Sequence, residues 1–199
     1  MKNLIYLLTL TVLGAPLFGA TLTQAERDRA IAELTASRQQ FLDSVAGLSP
    51  AQWNFKPDEK TWSVAECAEH IAVSEDVIFG YVAKFVEAPA APDKKSAVTD
   101  DYILTAVVDR SHKFQAPEAL RPTHRFATPQ EMVDHFKQSR EHTIAYVRDT
   151  QDDLRVHFFD HPVLKTMDTY QWILLISAHS QRHTAQLNEV KANPSFPKN

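Results

Sequence analysis

The segment DTYQWILLISAHSQRHTAQLNEV, residues 168–190, decides the fold. Asp168 followed by Gln171 is a capping-box pattern, in which each side chain serves a backbone amide at a helix start. Trp172, Ile176, His179, His183, Leu187 and Val190 then recur at spacings of three and four, so they share one helical face. That face points at a core. His179 and His183 are four apart and therefore stacked one turn apart on it. Both imidazoles can reach one metal ion. Buried neutral imidazoles need polar partners, and an ion supplies one for each. Taken alone, the pair is a weak signal, and two histidines on a partly wet face, or two satisfied by core neighbours, account for it more readily than a metal does.

Three further segments carry the same periodicity behind the same kind of start. Thr23 with Glu26 opens a helix bearing Ile31, Leu34, Phe41 and Val45. Ser63 with Glu66 opens one bearing Val64, Cys67, Ile71, Val77, Ile78, Tyr81 and Phe85. Thr128, Pro129 and Glu131 open one bearing Met132, Phe136, Ile144, Tyr146 and Val147. Four amphipathic helices predict an all-α four-helix bundle. Ser49-Pro50 reads as a single helical turn, and Asp100 to Arg110 as a short extra helix. The connection between the second and third long helices is long enough to cross the bundle, so simple up-down-up-down order does not follow.

Composition agrees. There are four glycines and eleven prolines, and 44% of residues are apolar. Few glycines suit helices better than turn-rich sheets. The net charge of −4 provides no basic field to hold a nucleic-acid backbone. Cys67 is the only cysteine, so no internal disulfide forms.

Residues 1–20 read as a signal peptide and 21–199 as the mature domain. Lys2 is the basic start, Leu4 to Leu13 is apolar apart from two threonines, and Gly19-Ala20 offers small residues for cleavage. Phe18 is a poor residue for that cut. The apolar run is short for a membrane span. The expectation is a periplasmic or secreted protein with no stable membrane insertion once the leader is removed.

His70 lies near the inner edge of the second long helix's stripe, and periodicity alone leaves it between a ligand and a boundary histidine. Here the sequence resembles the DinB-like (DNA-damage-inducible) metal-binding bundles. Trp62-Ser63 followed by Glu66 and His70 is similar to that family's W-S-x-x-E-x-x-x-H. His179-x-x-x-His183 followed by Gln186 is similar to its closing H-x-x-x-H-x-x-Q. His161-Pro162 leading through Asp168 and Trp172 resembles its lead-in, and Ala116-Pro117-Glu118 is also similar. The resemblance spans about Glu26 to Val190. It implies a bundle whose divalent metal is held by His70, His179 and His183. Zinc is the first expectation, with nickel, iron or manganese open.

Three protein ligands leave a coordination position for water or substrate. That licenses a metal-dependent hydrolase acting on a small molecule. The alternatives are a non-catalytic metal- or ligand-binding module and a thiol-dependent transferase, which export disfavours. No catalytic base can be named. Glu66 is explained by its cap, Glu69 and Glu75 read as solvated charges, and Glu75 alone is a candidate to orient a ligand. Arg140 and Arg182 read as surface ion-pairing residues. His135 and His142 form the rival site, His161 reads as a loop residue at the site mouth, and Cys67 as packed. Pairing of two copies through an exposed helix face is left open.

Overall fold

The computed structural model describes residues 21–198; the leader expected over 1–20 lies outside them. Four long helices form the bundle: α1 (Gln24–Val45), α3 (Val64–Phe85), α5 (Pro129–Asp149) and α6 (Thr169–Lys191). Short helices α2 (Pro50–Asn54) and α4 (Asp100–Ala106) and a 3-10 turn, Glu118–Leu120, lie in the connections. The expected caps form. Thr23, Ser63 and Asp168 each accept the N3 amide and are answered by Glu26, Glu66 and Gln171. Thr128 accepts from the amide of Glu131, with Pro129 at the first helical position. Ser49 and Gln52 close a further box on α2.

The helix order is not that of a simple meander. α1 packs on α5 and α6, and so does α3, so α1 and α3 sit diagonally across the bundle. Cross-helix bonds give the directions. Tyr170 reaches Glu26, and Ser177 reaches Glu33 and Ser37, so α1 and α6 run parallel. Asp76 meets His135 and Ser139, while Phe79 meets His142 and Tyr146, so α3 and α5 also run parallel. α3 and α6 are antiparallel, with His70 beside His183 and Phe85 beside Trp172. The order is up-down-down-up. A helix of 22 residues is about 33 Å long, so a parallel neighbour needs a connection that travels back along it. Residues 86–128 make that crossover.

The crossover is bonded to α6 along its way. Gln171 donates to the carbonyl of Val98, Arg182 to the carbonyls of Val107, Asp109 and His112, and Arg110 to Gln186 and Glu189. It then reaches α3, where Glu69 accepts the amides of Thr123 and His124 at 2.7 and 2.9 Å.

Between α5 and α6, where His161 reads from sequence as a loop residue, lies a short hairpin. Phe158–His161 (β1) pairs antiparallel with Lys165–Asp168 (β2). Tertiary packing supports this short hairpin: Phe159 stacks on Phe85, and Leu164 and Met167 are buried. Two strands of four residues have too little periodicity to read, and an isolated hairpin is marginal in water.

The core has two apolar clusters separated by a polar layer. Leu34, Ile78, Ile144, Ile173 and Ile176 lie in one, and Phe41, Ile71, Phe136 and Leu187 in the other. Between them lie Ser37, Glu75, Arg140, Ser177 and Ser180, all buried. Arg140 is fully buried and donates to Glu75 (2.8 Å from Nε), the carbonyl of Leu34, Ser37 and Ser180. This corrects the reading of Arg140 as a surface residue and of Glu75 as solvated or as an orienter of a ligand. A guanidinium this deep persists because its charge and its donors are all met. The signal was available, since Arg140 sits four after Phe136 and four before Ile144 on the inward stripe.

Candidate metal centre

His70 on α3 and His179 and His183 on α6 come together, each offering a ring nitrogen, with those atoms all within 4.8 Å of one another. Ring centroids are 4.2 Å apart for His70 and His183, 4.9 Å for His70 and His179, and 4.5 Å for the α6 pair. The antiparallel packing of α3 on α6 creates this meeting. The i, i+4 spacing on α6 supplies two rings on one face, and the facing helix supplies the third.

The outer bonds fix the tautomers of two rings. His70 Nδ1 lies 2.8 Å from the carbonyl oxygen of Leu120. A carbonyl only accepts, so Nδ1 carries the proton and Nε2 keeps its lone pair. His183 Nδ1 lies 2.8 Å from Gln186 Oε1. Arg110 also donates to that oxygen, at 3.3 Å, which sets the direction of the amide. His183 Nδ1 is therefore the donor, and its Nε2 also keeps a lone pair.

The two Nε2 atoms face each other at 3.1 Å. Two lone pairs this close repel unless a proton or a cation lies between them. Two nitrogen ligands of a tetrahedral zinc at about 2.05 Å are separated by about 3.3 Å. The donor set therefore fits a borderline-soft divalent ion. His179 makes no hydrogen bond to the described residues, and its ring packs against both of the others.

Electrostatics keep the rings neutral. Burial lowers the pKa of His70. Burial, the neighbouring histidines and Arg182 hold His179 well below the usual imidazole value. Burial and His70 do the same for His183, against an opposing push from Gln186. Neutral imidazole is the ligand form. Trp62 covers one side of the site, 5.0 Å from the His70 ring and 6.4 Å from that of His183.

Other expectations resolve case by case. Glu66 closes its cap and pairs with Lys56 at 3.0 Å. Glu69 is not solvated: it is buried and anchors the end of the crossover. Arg182 is not a surface ion-pairing residue either; it is 8% exposed, and its donors are taken by crossover carbonyls. Its long stem packs while the head finds carbonyls, which charge alone does not predict. The rival pair does not converge: His135 bonds Asp76 at 2.7 Å, while His142 packs edge-on to Phe79. Cys67 is buried, and burial pushes its thiol up to about 12, so it is packed and inert. The Leu120 carbonyl and Arg110 were not found from sequence. A backbone carbonyl carries no side-chain signal, and only the fold brings Arg110 to Gln186.

These features define a four-helix bundle with a three-histidine constellation between two of its helices. The chain belongs to the DinB superfamily, whose model matches residues 33–187. The chain is also 27% identical over 162 residues to YuaE of Bacillus subtilis strain 168, an uncharacterized protein, covering 78% of this chain and 93% of that one. Its fold is similar to that of YfiT from Bacillus subtilis, with a TM-score of 0.53 at 15% identity over 86% of this chain and 89% of the other. YfiT is described as "a probable metal-dependent hydrolase with an unusual four-helix bundle topology".

Proposed function

We propose that this protein binds one divalent metal ion through His70, His179 and His183 and acts as an exported metal-dependent hydrolase on a small molecule. The observation that carries the metal is the 3.1 Å approach of two Nε2 atoms whose rings have both committed their protons outward. Zinc is the first choice, because three neutral nitrogens with an open position suit it. Such an ion supplies Lewis acidity and lowers the proton affinity of coordinated water. The chain's own part is to hold three neutral acceptors in place, to cover one side with Trp62, and to fix the rings from behind. The hydrolase reading is supported by superfamily membership and by the description of the structural neighbour.

A second reading is a binding module without turnover. One observation favours it: Glu66, Glu69 and Glu75 are all engaged elsewhere, so none of them is free to act as a base. Elemental mass spectrometry on untagged protein, beside His70→Ala and His183→Ala, tests the shared premise. Near one ion per chain, lost in both folded variants, is expected. No ion in the wild type, and none taken up on reconstitution, sinks both readings. Screening of small esters and amides, with and without chelator, then separates enzyme from binder.

A further inference from the structure

Glu69 and His70 are neighbours on α3, and both are tied to the same stretch of the crossover. His70 Nδ1 donates to the carbonyl of Leu120 at 2.8 Å. The Glu69 carboxylate accepts the consecutive amides of Thr123 at 2.7 Å, His124 at 2.9 Å and Arg125 at 3.4 Å. Successive N–H groups converge on one anion only where the chain turns sharply. His124 makes that turn in the left-handed region, at φ 58°, which residues other than glycine adopt rarely. Glu69 is buried, so its carboxylate depends on these donors in place of water.

Bonds within the segment carry that anchor to Leu120. Arg125 Nη2 donates to the carbonyls of Ala119 at 2.9 Å and Arg121 at 3.4 Å, the residues on either side of Leu120. Arg125 Nε donates to Thr123 Oγ1 at 3.0 Å and lies 3.8 Å from Glu69. The amide of Arg121 donates to the carbonyl of Glu118 at 3.1 Å. That amide and the Leu120 carbonyl belong to one planar trans peptide, in which N–H and C=O point in opposite directions. Fixing the N–H therefore fixes the carbonyl. The 3-10 turn aims the Leu120 oxygen, and Glu69 with Arg125 holds the turn against α3.

We propose that Glu69 is a positioning residue for His70, acting with Arg125 through the Leu120 carbonyl to keep Nδ1 protonated and Nε2 available to the metal. This rests on the metal reading above. Among the described residues Glu69 bonds only Thr123, His124 and Arg125, so its influence on the site passes through the crossover. A plain tether of the loop to α3 would alter stability and leave the His70 ring as it is.

Glu69→Gln is the informative variant, because it keeps the side chain's shape but puts an NH2 group where one carboxylate oxygen meets the amides. Nitrogen-15 spectra of the imidazoles report the His70 tautomer in metal-free protein, and chelator competition reports the affinity for cobalt(II). Wild-type His70 should be protonated at Nδ1. Glu69→Gln should move it toward the Nε2-protonated form and weaken cobalt binding about tenfold, the lower end of what outer partners of metal-bound histidines contribute. Arg125→Ala should move both readouts in the same direction, and it decides the matter alone if Glu69→Gln does not fold. A folded variant that keeps the wild-type tautomer, or the wild-type affinity, overturns the proposal whatever its melting temperature, leaving Glu69 a tether only. Wild-type His70 protonated at Nε2 also overturns it. Wild type that takes up no cobalt removes the metal reading, and the tautomer comparison then judges the hold on His70 by itself.

Discussion

The carbonyl oxygen of Leu120 accepts the Nδ1 proton of His70 at 2.8 Å, although fifty residues separate them. The crossover from α3 to α5 therefore has a second use. The same segment carries Arg110, which sets the Gln186 amide behind His183. A connection required by parallel helix order thus supplies the outer support of both rings.

That support is measurable. Partners behind metal-bound histidines typically contribute about 10- to 100-fold in affinity. Gln186→Ala should weaken metal binding by about that factor in a chelator competition, with unfolding little changed because Gln186 is only half-buried. His135→Ala, at the discarded rival position, should leave affinity as it is. Unchanged affinity in Gln186→Ala would show that the bond does not orient His183.

The lowered pKa values of His70, His179 and His183 set a pH dependence for the metal-free protein. Below the ordinary imidazole value, about 6.5, the unfolded chain takes up protons that the folded chain resists. Stability from these three residues is thus fully present above about pH 6.5 and falls as pH drops below it. Chelator-treated protein should melt at a lower temperature at pH 5.5 than at pH 7.5. His70→Ala should narrow that difference, and an identical difference in the variant would contradict this assignment.

Arg140 and Glu75 form a buried pair at the bundle's middle. Removing one charge strands the other, at a cost of about 3–5 kcal/mol. Arg140→Met should lose that much in urea unfolding. Arg140→Met combined with Glu75→Leu should lose clearly less than the two single changes added together. Simple additivity would show that the two side chains are not coupled.

Cleavage of the leader after Ala20 would leave Thr21 as the first residue and keep Leu22, which is buried, and Thr23, which caps α1. Amino-terminal sequencing of protein recovered from the periplasm or culture medium should begin at Thr21. Protein found only in the cytoplasm with Met1 or Lys2 at its start would refute export.

The sequence by itself determined the four long helices, their starting caps and the pairing of His179 with His183. These are local matters: a cap spans three residues and a helical face repeats every three or four. The resemblance carried by Trp62, Glu66, His70 and Gln186 added the third histidine. Tertiary structure alone decided the up-down-down-up order, the hairpin, the burial of Glu69, Glu75 and Arg182, and the partners that Arg140 meets on its inward stripe. Each of these depends on partners far along the chain. Whether Arg140 is a solvated charge or the centre of a polar layer depends on Glu75, Leu34, Ser37 and Ser180 arriving around it. Only the packed bundle supplies enough bonds to offset the cost of burying its charge.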